Sequence, residues 1–233
     1  QVFDLNIQSF ERQGVLISGA VANNWIAGNY IGTDATGTVA LANGRNTFDA
    51  AVKIEAGAQS NLVGTNGDGV ADNAERNLLS GNIGSGVSLS GAGTSGNIIA
   101  GNDIGTDASG TVALGNHYRG VFVYGGAQSN LIGTDGDGTG DAAERNVISG
   151  NMDRGISVSS AGTDHNGIAG NYVGVDTTGV ADLGNGSQVW HAGIWIAGSA
   201  KFNLVGTDGD GFGDTAERNV ISGNNGNGIR IMD

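Results

Sequence analysis

The sequence predicts an all-β fold: a right-handed parallel β-helix of about seven three-strand turns, compact turns alternating with loop-decorated ones. Three observations predict it. The first is a long-range repeat. Asn61-Leu-Val-Gly-Thr-Asn-Gly-Asp-Gly returns at Asn130 and at Asn203, at spacings of 69 and 73 residues. Asn77-Leu-Leu-Ser-Gly-Asn returns at Asn146 and Asn219 with the same spacings. The second is a finer triplet of short segments, Asn-x-Ile-x-Gly, Gly-Ile-x-Val and again Asn-x-Ile-x-Gly, which puts two three-strand turns in each long unit. The third is a column of aliphatic pairs at period two: Val15/Ile17, Val52/Ile54, Val87/Leu89, Val121/Val123, Ile156/Val158, Ile194/Ile196 and Ile229/Ile231. Alternate side chains of a strand point to opposite faces, so each pair is inward. One such strand cannot bury its apolar face alone, whereas stacked turns make a continuous core.

The elements follow in order. Turn one, about Asp4 to Gly28, is compact. Turns from Asn29 to Arg76, Asn102 to Arg145 and Asn171 to Arg218 are nearly twice as long and carry two insertions each. Between them run the compact turns Asn77 to Gly101 and Asn146 to Gly170, and a seventh begins at Asn219. Residues 1–233 are read as one domain. The chain stops in mid-turn without a polar cap and opens on Gln1, so it is expected to be a piece of a longer chain. Asn opens two of the three kinds of strand: Asn24, Asn29, Asn61, Asn77, Asn97, Asn102, Asn130, Asn146, Asn166, Asn171, Asn203 and Asn219. Asn tolerates left-handed backbone angles at a sharp corner. Stacked inward, its amide can bond the corners above and below, and asparagine ladders are expected.

Composition agrees. The chain has 45 Gly, no Pro and no Cys, yet 38% hydrophobic residues, and Gly does not recur every third residue. That excludes collagen and argues against disorder. A net charge of −13 argues against nucleic acid, which needs a basic face. No run of 18 apolar residues exists, so no membrane-inserted segment is expected.

These strand phrases resemble the parallel β-helix repeats of the pectate-lyase-like superfamily. Ile104-Gly-Thr-Asp-Ala-Ser-Gly-Thr-Val-Ala-Leu-Gly-Asn and Arg145-Asn-Val-Ile-Ser-Gly-Asn are similar to phrases of very large secreted bacterial surface proteins. The resemblance covers essentially the whole chain and implies the fold. For function it is broad, because that superfamily holds lyases, hydrolases, epimerases, adhesins and phage tailspikes. It implies a secreted or cell-surface location.

One insertion of each long turn is acidic. Gly133 to Glu144 follows the calcium-loop pattern D-x-[DN]-x-[DN]-G-x5-E except at position 1, which is Gly. Asp135, Asp137, Asp141 and Glu144 take the ligand positions. Asp208, Asp210, Asp214 and Glu217 take them in the third copy, and Asn66, Asp68, Asp72 and Glu75 in the first. Calcium takes six to eight oxygens, and closely packed carboxylates repel without a cation. The loops also resemble the aspartate-rich calcium repeats of thrombospondin type 3 domains. A structural Ca2+ is therefore expected. The alternative is that Arg76, Arg145 and Arg218, which directly follow each Glu, fold back and neutralise the carboxylates.

The other insertion begins Thr33-Asp-Ala-Thr-Gly, Thr106-Asp-Ala-Ser-Gly and Val175-Asp-Thr-Thr-Gly, where Asp34, Asp107 and Asp176 read as turn formers. Its far end brings His117, Tyr118, Trp190 and His191 beside strands whose outward residues include Phe122 and Trp195. Two turns rise about 9.6 Å, the length of an extended disaccharide, so these six residues are candidates for stacking a cell-surface glycan. The alternative is that they cover their own loops.

Catalysis is not the leading expectation. General acid–base work needs a convergent and usually unique set of groups, and these acidic groups come in three near-equal copies. The leading expectation is a calcium-stabilised structural or adhesive rod segment of a large extracellular bacterial protein. The alternative is a polysaccharide-binding or polysaccharide-processing β-helix (lyase, hydrolase or epimerase). End-to-end self-association through open terminal turns is a third possibility.

Overall fold

The computed structural model describes residues 1–233. Twenty-one short strands, β1–β21 in chain order, fall in strict rotation to three parallel sheets of seven strands each. Sheet A runs from β1 (Val2–Phe3) to β19 (Leu204–Val205), sheet B from β2 (Asn6–Ile7) to β20 (Val220–Ile221), and sheet C from β3 (Val15–Ser18) to β21 (Gly226–Ile231). Each turn contributes one strand to each sheet, so the chain is a parallel β-solenoid, as the repeat requires.

Register places like over like. Val121 pairs with Val87 and Ile156, and Ile194 pairs with Ile156 and Ile229. The inward pairs of the middle turns are buried. Sheet A adds Ile26, Val63, Ile99, Ile132 and Ile168, and sheet B adds Ile31, Leu79, Ile104, Ile148 and Val173, to form one core. Ile229 and Ile231 of the last turn are exposed, because no further turn covers them.

The asparagine ladders exist, and there are three of them. Asn24, Asn61, Asn97, Asn130, Asn166 and Asn203 run along the corner entering sheet A. Asn29, Asn77, Asn102, Asn146, Asn171 and Asn219 run along the corner entering sheet B. The third, which the sequence reading omits, joins Asn43, Asn82, Asn116, Asn151, Asn185 and Asn224 between sheets B and C. In each step Nδ2 donates to the next Oδ1 at 2.8–3.1 Å. Nδ2 also donates to a backbone carbonyl of the preceding turn, as from Asn116 to Leu79. Buried corner carbonyls are thereby satisfied.

One expectation about these asparagines is corrected. None of them adopts a left-handed backbone. On entry to sheet A the left-handed residue is the one before: Asn23, Ser60, Gly96, Ser129, His165 and Phe202, with φ between 52° and 65°. That residue turns the corner, and the Asn is thereby left free to aim its amide inward.

Two four-residue helices occur, α1 (Asp72–Glu75) and α2 (Asp141–Glu144). Both lie in the acidic insertions, at the corner between sheets A and B.

Candidate functional site

The acidic insertions are built around a threonine. In the second copy Thr134 Oγ1 donates to Glu144 Oε2 at 2.7 Å, the Asp135 amide donates to the same oxygen, and the Gly136 amide donates back to Thr134 Oγ1. Thr65 does the same with Glu75 and also donates to Asp72 Oδ1 at 3.0 Å. Thr207 donates to Asp214 Oδ1 at 2.8 Å, and the Asp208 amide donates to Glu217. The terminal Glu of each loop therefore spends one oxygen on closing the loop. In a calcium loop of the pattern used above, that residue gives both oxygens to the ion; here one is already taken.

Carboxylate oxygens do converge. Asp135, Asp141 and Glu144 offer oxygens within 4.8 Å of one another, and so do Asp208, Asp210 and Asp214. In the first copy the Asn66 amide stands among them and donates to Asp68 at 3.0 Å. Asp137 and Asp68 otherwise cap the amides of Thr139 and Val70. Burial pushes the Glu144 carboxyl up from its ordinary range, and Asp135 and Asp141 push it further, against the hydrogen bond from Thr134.

The arginines do not neutralise these loops. Arg76 turns away to sheet B and pairs with Asp103, Nη2 to Oδ1 at 2.6 Å. Arg145 lies over the Tyr172 ring, 4.4 Å from its centroid, and donates to the Gly170 carbonyl. Arg218 makes no ion pair, and no arginine pairs with a loop carboxylate. In the second and third loops the converging donors are all carboxylate oxygens without an arginine partner, which suits a hard divalent cation.

The three acidic loops form one column. Compact turns lack the insertion, so each loop reaches across the gap to the next. Gly67 lies so close to the Glu144 carboxylate, and Gly140 (φ 68°) so close to the Gly67 carbonyl, that neither position has room for a Cβ. The other insertions form a second column, Ala108 N–H bonding the Gly37 carbonyl and Thr177 N–H the Gly110 carbonyl. Their turn-forming aspartates act as expected. Asp34 Oδ1 accepts from the Thr38 and Val39 amides, and Asp107 and Asp176 repeat the pattern. A hydrogen bond from Thr36, with the backbone amides, holds the Asp34 carboxyl below its ordinary range.

The aromatic candidates sit on and beside the outer face of sheet C, and the structure adds residues to them. Phe122 stacks on Tyr124 at 4.1 Å and carries the Arg119 guanidinium 3.8 Å above its ring. Tyr118 meets Phe122 edge-on. Trp195 is flanked by Arg154 at 3.7 Å and by Arg230 at 4.8 Å, one from each adjoining turn. The ring faces of Phe122 and Trp195 are thus covered by the protein's own groups. His117 and Trp190 are exposed, Trp190 by 55%.

Beneath them lies Asp153. Its Oδ2 accepts from Arg119 Nε at 3.1 Å and from Arg154 Nη1 at 3.0 Å, and its Oδ1 faces His191 Nε2 at 3.3 Å. His191 Nδ1 accepts from the Ser187 amide, which assigns the proton of the neutral ring to Nε2. Burial lowers the His191 pKa below its ordinary value; Asp153 opposes this, and Arg154 and Arg119 lower it further. Nδ1 is hydrogen-bonded, Nε2 faces Asp153 Oδ1 without completing a hydrogen bond, and the cluster draws together three successive turns. Asp153 and Arg154 had a sequence signal. Compact turns carry Gly84-Ser85 and Gly226-Asn227 at this place, and only the middle one has Asp-Arg.

No protein-family model matches this chain, and neither a curated protein nor a solved structure matches it.

Proposed function

We propose that this chain is a calcium-stabilised rod segment of a large extracellular bacterial protein, serving as a spacer or adhesive stalk. The observation that carries the reading is repetition: the acidic loop stands in three stacked copies, each left without its neighbouring arginine, and in two of them carboxylate oxygens converge. A single active site has no use for three near-equal sets, whereas a column of structural cations stiffens an edge. Asp135, Asp141 and Glu144, and Asp208, Asp210 and Asp214, would hold the ions; calcium supplies positive charge between carboxylates and no chemistry beyond that. The resemblance to repeats of secreted surface proteins supports the location. So does the −13 charge, which suits a salty exterior. No helix is long and apolar enough to cross a membrane.

Calcium titration followed by thermal melting tests the reading. The melting temperature should rise with calcium and fall in excess EDTA, and the rise should shrink when Asp135→Asn and Asp141→Asn are combined. A melting temperature indifferent to EDTA removes the cation from the proposal.

A further inference from the structure

The outward positions of sheet B run Asn6, Tyr30, Leu78, Asp103, Val147, Tyr172 and Val220. Decorated turns place Tyr, Asp and Tyr there, so Asp103 breaks the repeat. The break redirects an arginine. Where the position is Tyr172, Arg145 sits over that ring, 4.4 Å from its centroid. Where it is Asp103, Arg76 is drawn onto the carboxylate, with Nη2 at 2.6 Å and Nε at 3.4 Å, and its Nη1 points to the carbonyls of Ala143 and Arg145.

The result is an open recess of about 610 Å3, within the roughly 300–1,000 Å3 typical of ligand sites. Its floor is the bare strand of a compact turn, Asn77-Leu78, flanked by Tyr30. Helices α1 and α2 make one wall, and the insertion Ala108–Gly110 makes the other. The recess exists because the compact turn carries no loop while the decorated turns on either side carry two.

We propose that this recess binds a neutral saccharide unit of one or two rings. One carboxylate and one guanidinium line it, and they are paired with each other. The site has no net charge to offer, so an ionic ligand would lose its hydration without gaining a partner. What remains is a planar carboxylate–guanidinium pair, the hydroxyl of Thr177, and the ring of Tyr30; the Ser109 hydroxyl on the rim is already held by Asp107. Adjacent donors and acceptors match vicinal hydroxyls, and an aromatic ring with alanine methyls matches the C–H face of a sugar. The site lies on a different sheet from Trp190 and His191 and stands whether or not the loops hold calcium.

Saturation-transfer NMR with cellobiose, maltose and N,N′-diacetylchitobiose tests it on the whole chain, at concentrations near the about 1–10 mM dissociation constants of weak sites. At least one of the three should bind. Ala108→Trp, at an exposed position on the rim, should abolish binding with the melting temperature unchanged, and Asp103→Asn should weaken it about tenfold, while Trp190→Ala should bind as the parent does. The proposal is overturned if none of the three binds, if Ala108→Trp binds like the parent, if Trp190→Ala alone loses binding, or if digalacturonate binds more tightly than every neutral sugar.

Discussion

Single residues carry this fold through what they satisfy. Asn116 occupies the middle of the third ladder and is fully buried. Its Oδ1 accepts from the Asn82 side chain and amide, and its Nδ2 donates to Asn151 and to the Leu79 carbonyl. Asn116→Ala strands several of these groups at once and should cost about 3 kcal/mol, since a buried group left unpaired costs about 1–3 kcal/mol. Asn24→Ala, at an end rung beside solvent, should cost under about 1 kcal/mol; urea unfolding of the two variants compares them. His191 supplies a pH dependence. Its folded pKa lies below the ordinary 6.5, so below that value the unfolded chain binds a proton that the native chain resists. Stability from the neutral ring is therefore present above pH 6.5 and lost as pH falls toward the lower folded pKa. Melting followed from pH 7.5 to 5 should show a decline that His191→Gln abolishes.

At the scale of elements, the acidic loop is a closed ring of hydrogen bonds with surplus carboxylate. Glu144 has a raised folded pKa. Protonation therefore favours the native state, and the benefit present at low pH is lost as pH rises through the folded value. Without a cation the ionised Glu144 is a liability at neutral pH. In EDTA at pH 7, Glu144→Gln should melt no lower than the parent and should respond less to added calcium. Calorimetry of both proteins, with and without calcium, checks this. The pattern of ligand positions was readable from residue spacing alone. That the terminal Glu is half spent on Thr134 was not, because Thr134 stands at a position the pattern leaves open to any residue. Nor was the direction of the arginines, since Arg76 and Arg145 are adjacent in sequence to the loop but are claimed by Asp103 and Tyr172 of another turn.

The whole molecule behaves as a one-dimensional stack in which each turn touches only its neighbours. Interior turns are held from both sides and the terminal turns from one. Ile156→Ala, in a fully buried rung, should cost about 3–4 kcal/mol, whereas Ile229→Ala, 45% exposed in the last turn, should cost under about 1 kcal/mol. Amide exchange should follow the same gradient, slowest in turns three to five and fastest in turns one and seven. Uniform protection along the stack would contradict it.

The sequence by itself determined the period, the number of turns, the inward columns and two of the three ladders. Each is a local pattern that parallel stacking repeats in register, so one rung implies the next. The third ladder escaped because its Asn, in five of six rungs, follows Gly at the end of a segment already assigned to the strand before it, as in Ser80-Gly81-Asn82. Only the tertiary structure decided which charge meets which. A side chain pointing outward from a solenoid chooses its partner from the turns above and below, 25 to 70 residues away in the chain. For that reason Asp153 gathers Arg119 and His191 from the turns on either side, Arg76 abandons its own loop for Asp103, and the carboxylates of the acidic column are left without an arginine.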